Sequence, residues 1–137
     1  MCGICGIYNF DNSHVKKEDL LILNNEMIER GPDSSGLYIK KNFGFAMRRL
    51  SIIDKITGDQ PIFSDDKNIS LIFNGEIYNY IEIRDQLKSQ GIKFQSKSDT
   101  EVILKLYETE GEDFVKKLNG MFSICLYDFK KDKILIY

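Results

Sequence analysis

Tryptophan is absent from this 137-residue chain, and histidine occurs once, at His14. No stretch approaches the ~20 consecutive apolar residues that cross a bilayer. The N-terminus has neither a basic segment nor a long apolar one, so neither membrane insertion nor secretion is supported. Charge of one sign is also missing. The 19 Lys and Arg are spread along the chain against 21 Asp and Glu, for a net charge of −2, which excludes a basic nucleic-acid footprint. Cysteine is scarce and odd in number: Cys2, Cys5 and Cys125. Without an export signal, that count predicts reduced thiols in a cytoplasmic protein. Zinc on Cys2 and Cys5 needs about two further ligands. Cys125 lies inside the apolar run FSICLY and His14 stands alone, so no metal site is expected. A redox dithiol normally follows a strand and opens a helix; MCGICG instead begins at the terminus and runs into apolar IYNF.

What is present is an ordinary globular composition, 42% hydrophobic and 29% charged, without repeats or low-complexity tracts. CGICGIYNF reads as a strand. KKEDLLILNNEMIER carries Leu20, Leu23, Met27 and Ile28 at helical spacing and predicts a helix ending near Gly31-Pro32. GPDSSG reads as a loop, GLYIKK and FGFAMRRLSII as a hairpin, and DKITGDQPIF as a polar loop. NISLIF reads as a buried strand running into Asn74-Gly75. YIEIRDQLKSQG shows Ile81, Ile83 and Leu87 on one helical stripe closing on Gly91. IKFQS reads as a brief strand, and SDTEVILKLYETEG as a helix with a capping box of Ser98 and Glu101. EDFVKKLN reads as a short helix, and MFSICLYDFKKDKILIY as a hairpin turning near Lys130 to Asp132. Strands at both ends with helices between predict α+β with antiparallel sheets. The chain stops at Tyr137 within an apolar strand, so further strands of the same domain are expected beyond it.

Three features carry chemistry. An N-terminal cysteine, exposed by loss of Met1, holds a thiol of pKa ~8.5 and an α-amino base of pKa ~7.7–8.0 in one residue; otherwise Cys2 is a small residue opening a strand. Asn74-Gly75 offers a side-chain amide beside an unhindered N–H, suited to a developing oxyanion, or it is a plain turn. Consecutive strand residues point to opposite faces, so one of Arg48 and Arg49 faces inward and wants a carboxylate from the protein or from a ligand. Glu76 and Asp99 are acids able to hold either that arginine or a ligand's ammonium. Arginine, acids and a thiol together describe a site for an α-amino acid.

MCGICGIY, RGPDSSG, RRLSIID, NGEIYNY, SDTEVIL and NGMFSICLYD occur in the order and approximate spacing of class II glutamine amidotransferase domains. The chain resembles in particular the glutaminase domain of glutamine-hydrolysing asparagine synthetases, over residues 1–137 as a single domain. The resemblance implies an N-terminal-nucleophile hydrolase fold, two stacked antiparallel sheets between helix layers (αββα). It implies that Cys2 attacks the side-chain amide of glutamine, that Asn74 and Gly75 form the oxyanion hole, and that Arg49 takes the α-carboxylate. Glu76 and Asp99 would take the α-amino group, with Leu50, Ser51, Ile52 and Ile53 lining the pocket. Arg30 to Asp33 would support the cysteine. No cofactor is implied for this chain; ATP and Mg belong to a synthetase domain or subunit that accepts the ammonia and amidates aspartate, and a homodimer is compatible. Two departures stand out, Glu29 and Met47 where the family often has histidine. The missing C-terminal part keeps a second outcome open, an inactive remnant or a module that binds glutamine without turnover.

Overall fold

The computed structural model describes residues 2–51, 54 and 58–137. Its elements in chain order are β1 (Gly3–Tyr8), α1 (Lys17–Asn25), β2 (Ser34–Lys40), β3 (Phe43–Arg49), β4 (Ile62–Phe63), β5 (Ile69–Ile77), α2 (Tyr80–Ser89), α3 (Asp99–Glu110), a 3-10 helix (Gly111–Lys117), β6 (Gly120–Asp128) and β7 (Lys133–Ile136). They form two antiparallel sheets, in the orders β1-β3-β2 and β4-β5-β6-β7.

The layering follows from strand composition. β5 is apolar at successive positions, Leu71, Ile72 and Phe73, as a strand covered on both faces must be. Alternation then sends its residues to two cores. Ile72 joins Phe43, Phe45, Met47 and Tyr127 between the sheets. Leu71 and Phe73 join Ile124 and Leu126 against Ile83, Leu87, Val102, Ile103 and Leu106 of α2 and α3. On the outer face of the first sheet, Leu20 of α1 lies over Gly44. Each fully buried Leu, Ile or Phe contributes about 1.5–3 kcal/mol. The order is helix, sheet, sheet, helix, the αββα arrangement that the family resemblance implied. No helix among the described residues is long and apolar enough to cross a membrane.

Several local expectations are corrected. Helix α1 ends at Asn25, and residues 26–30 continue as turns in which Arg30 N–H bonds to the Met27 carbonyl at 3.0 Å. Asn24 and Asn25 are weak helix formers, and Arg48 takes the Asn24 carbonyl and the Asn25 Oδ1 at 3.3 and 2.9 Å. Leu23 and Ile28 are exposed, as is Ile81 on α2. IKFQS is not a strand, because the N–H groups of Gln95 and Ser96 are taken by the Glu101 carboxylate at 2.8 and 2.7 Å. The same contacts leave the capping box half made: Ser98 accepts from the Glu101 N–H, but the Glu101 side chain turns away. EDFVKKLN is the short helix expected, wound as a 3-10 helix. Asn74-Gly75 lies inside β5 rather than at its end, and the polar loop before β5 contains the two-residue β4. GPDSSG is a loop only in part, since β2 begins at Ser34.

Candidate active site

Cys2 immediately precedes β1 and is half-buried. Its sulfur accepts the Leu50 N–H at 3.4 Å and lies 3.7 Å from the Leu50 carbonyl. The Cys2 carbonyl accepts from Arg30 Nε at 3.3 Å. Asp33 completes the bracket: its N–H donates to the Arg49 carbonyl at 3.0 Å, and its Oδ2 accepts the Ser51 N–H at 2.7 Å. The segment Arg30 to Asp33 thus ties the start of β1 to the end of β3. Cys5, three residues along the strand, points to the opposite face and pairs with Ala46. Burial pushes its thiol up, against the Ala46 backbone bond, and burial raises Cys125 to about 11. All three cysteines are free, and Cys2 and Cys5 cannot act as a pair. Among the described residues, no cluster of His, Cys, Asp and Glu could hold a metal.

The edge of β5 explains why Asn74 and Gly75 are available. Strand β4 pairs only through Ile62↔Leu71 and Phe63↔Ser70, so beyond Leu71 that side of β5 has no strand beside it. N–H groups two apart on a strand point the same way. Phe73 N–H is taken by Gln60 Oε1 at 2.6 Å, and Ile77 N–H by Asp99 Oδ2 at 3.2 Å. Gly75 N–H lies between them and faces the gap. Asn74 shares a face with Ile72, the face turned towards β1 and Cys2. Its Oδ1 is buried without a hydrogen-bond partner among the described residues. Gly75 has φ +155°, and a β-carbon there would meet the Met121 carbonyl and Phe122 Cα, so only glycine fits.

Charged groups stand around the same gap. Arg49 is the inward member of the arginine pair, 4% exposed. Its Nη1 pairs with Asp59 at 3.0 Å and its Nη2 donates to the Asp54 carbonyl at 2.5 Å. Asp99, at the head of α3, is 5% exposed. Burial holds its carboxyl above the usual carboxylate range, against the pull of the Ile77 N–H, and the nearby charge of Glu76 raises it further. Two acids that repel each other are a ready place for an ammonium group.

Cys2, Arg49, Leu50, Asn74, Gly75, Glu76 and Asp99 line one cleft of about 170 Å³. Ser51 is not among its described lining residues and is held from behind by Asp33. Ile52 and Ile53 lie outside the described residues. Of the two positions that depart from the family's histidines, Glu29 is exposed, whereas Met47 is fully buried between the sheets, where Cys2 packs. Sequence reasoning missed Gln60, Thr100 and Gly58, which also line the cleft. Gln60 and Gly58 fall in a polar loop with no periodicity to single them out; for Gln60 the one available signal is a polar residue directly before Pro61.

A family model described as a glutamine amidotransferase domain matches residues 1–137. The chain is 44% identical over 138 residues to "Asparagine synthetase [glutamine-hydrolyzing] 1" of Bacillus subtilis, covering 98% of this chain and 22% of that protein. It is 44% identical over 137 residues to "Asparagine synthetase [glutamine-hydrolyzing] 3" of Arabidopsis thaliana, covering 99% and 23%. The chain therefore spans under a quarter of the length of these relatives. Among solved structures, glutamine phosphoribosylpyrophosphate amidotransferase from B. subtilis superposes with a TM-score of 0.74 at 20% identity, over 93% of this chain and 35% of that one. That likeness shows the fold, an N-terminal-nucleophile amidotransferase fold.

Proposed function

Because the chain belongs to the family of glutamine amidotransferase domains, we propose that it hydrolyses the side-chain amide of glutamine, with Cys2 as the nucleophile. The observation that carries this is the single cleft shared by Cys2, Asn74, Gly75, Arg49 and Asp99. Once Met1 is removed, the α-amino group of Cys2 can take the thiol proton. The sulfur adds to the amide carbon, and the oxygen that becomes negative is held by the Asn74 amide and the Gly75 N–H. Each such donor is worth about 10²–10³ in rate. Collapse of the adduct breaks the C–N bond. The amino group passes the proton to nitrogen, so that ammonia leaves and a Cys2 thioester remains. Water then cleaves the thioester to glutamate and restores the thiol. Arg49 takes the α-carboxylate, Asp99 and Glu76 the α-ammonium, while Leu50 and Ser51 frame the pocket. These steps need no metal or cofactor.

The names of the longer relatives suggest the destination of the ammonia. A synthetase part, in the same polypeptide or a partner subunit, would amidate aspartate with ATP and Mg; residues 1–137 would be its glutaminase domain, in the cytoplasm. Intact mass paired with glutamate release tests the core of the proposal. Loss of Met1 and release that vanishes in Cys2→Ala are expected. Release that survives in Cys2→Ala overturns the mechanism, and tight glutamine binding without release favours a binding module.

A further inference from the structure

Gln60 is a buried polar residue in the cleft wall, 8% exposed, with both ends of its amide in use. Its Oε1 accepts the Phe73 N–H at 2.6 Å, and its Nε2 donates to Thr100 Oγ1 at 3.3 Å. Extending the β4–β5 register by two residues places Gln60 opposite Phe73, where the next strand residue would sit. The Gln60 carbonyl lies against Gly36 of β2 instead, so a side chain does the work of backbone. One leg reaches the residue before Asn74, and the other reaches the residue after Asp99.

We propose that Gln60 is a positioning residue for glutamine hydrolysis: it fixes the distance between the Asn74–Gly75 donors on β5 and the amine-holding head of α3. The proposal rests on the reading of Asn74 and Gly75 as oxyanion donors. Asp99 ties β5 to α3 at Ile77, on one side of the donors, and Gln60 ties them at Phe73, on the other. With both ties, Gly75 cannot slide relative to Asp99. With the Gln60 tie cut, the Asp99–Ile77 bond is left as the tie on one side of the donors, and a misplacement of about 1 Å at reacting groups costs up to ~10²-fold in rate. The charged groups Arg49, Glu76 and Asp99 stay in place, so the ground-state grip on the amino acid is retained.

The test compares Gln60→Leu, Gln60→Glu and Thr100→Val in the full protein. Readouts are kcat and KM for glutamine, affinity for glutamate, and inhibition by a γ-aldehyde analogue that forms a tetrahedral adduct on Cys2. In Gln60→Leu, kcat is expected to fall about 10–100-fold, and aldehyde inhibition to weaken in parallel. KM and glutamate affinity should stay within about twofold, since they report ground-state binding. Gln60→Glu keeps an acceptor for Phe73 and should recover much of kcat. Thr100→Val cuts only the second leg and should show a smaller loss with the same signature, which keeps the proposal testable if Gln60→Leu does not fold. Equal changes in KM, glutamate affinity and kcat, or an unchanged kcat, overturn the positioning role. The underlying function fails differently, by Cys2→Ala or Asn74→Ala leaving glutamate release intact.

Discussion

Replacing Asn74 by alanine should make the protein slower and more stable at once. Both effects follow from the amide's place in β5. In the proposed mechanism its nitrogen end is one of two donors for the oxyanion, so the variant should lose about 10²–10³ in kcat, equivalent to ~2.7–4 kcal/mol of transition-state stabilisation. Its oxygen end is buried without a partner among the described residues, and a buried acceptor left unsatisfied costs about 1–3 kcal/mol in the folded state. Alanine removes that penalty. Little is lost in return, because Asn74 is only half-buried at a cleft wall and asparagine, like alanine, is depleted in strands. The net expectation is a gain of roughly 1–2 kcal/mol, seen as a higher urea midpoint with an unchanged slope. Asn74→Asp makes the contrast. It preserves shape but places an ionised oxygen where the unpartnered one was, so it should be both slow and less stable at pH 7. Glutamate release and urea unfolding on the three proteins decide the matter. An alanine variant that is less stable by ~1 kcal/mol or more, or one within tenfold of the parent rate, refutes the reasoning.

Three further outcomes are expected. Asp99 is raised above the usual carboxylate range in the folded protein. Its contribution to stability is therefore fully present below the ordinary carboxylate pKa of ~3.9 and lost as pH rises through the folded value. Asp99→Asn keeps an acceptor for Ile77, so it should gain on the parent in urea midpoint from pH 4 to pH 7. It should also bind glutamine weakly at every pH, whereas the parent's KM falls as Asp99 ionises. In Gly58→Ala the new β-carbon would press on Arg49 Nη2 and stand 2.7 Å from the Asp54 carbonyl. Displacing the guanidinium should raise KM for glutamine about 10-fold or more, as for loss of a charged hydrogen bond, with a smaller change in kcat; steady-state kinetics show the split. Cys5→Ser should leave glutamate release unchanged where Cys2→Ser abolishes it, because the two side chains lie on opposite faces of the strand.

The α+β class with antiparallel sheets was legible from alternation and apolar runs in β1, β3, β5 and β6, whereas the αββα layering came from the family resemblance. The head of α3 was legible too, since Ser98 caps its own helix by a local contact. Elements held by distant partners were not. β4 is a strand only because Leu71 and Ser70 lie opposite it, and IKFQS fails as a strand because Glu101 claims its N–H groups. Asn74-Gly75 has a turn composition, yet it is drawn straight by nine-residue pairing with β6. The charged and thiol residues of the cleft were readable from residue chemistry and family resemblance. Gln60 was not, because a side chain standing in for a missing strand residue leaves no periodic trace.

The short reach of β4 bears on how this protein would respond to selection for heat resistance alone. Substitutions that raise the strand propensity of the segment before Ile62 are ordinary stabilising changes of the kind that accumulate readily. Here they would let the ladder run on past Phe73 and place backbone where the substrate oxygen belongs. Thermal tolerance and turnover would then be drawn from the same few ångströms of strand edge. A library screened only for melting temperature should enrich for dead enzyme at positions 58–60, while one screened for glutamate release should keep Gln60.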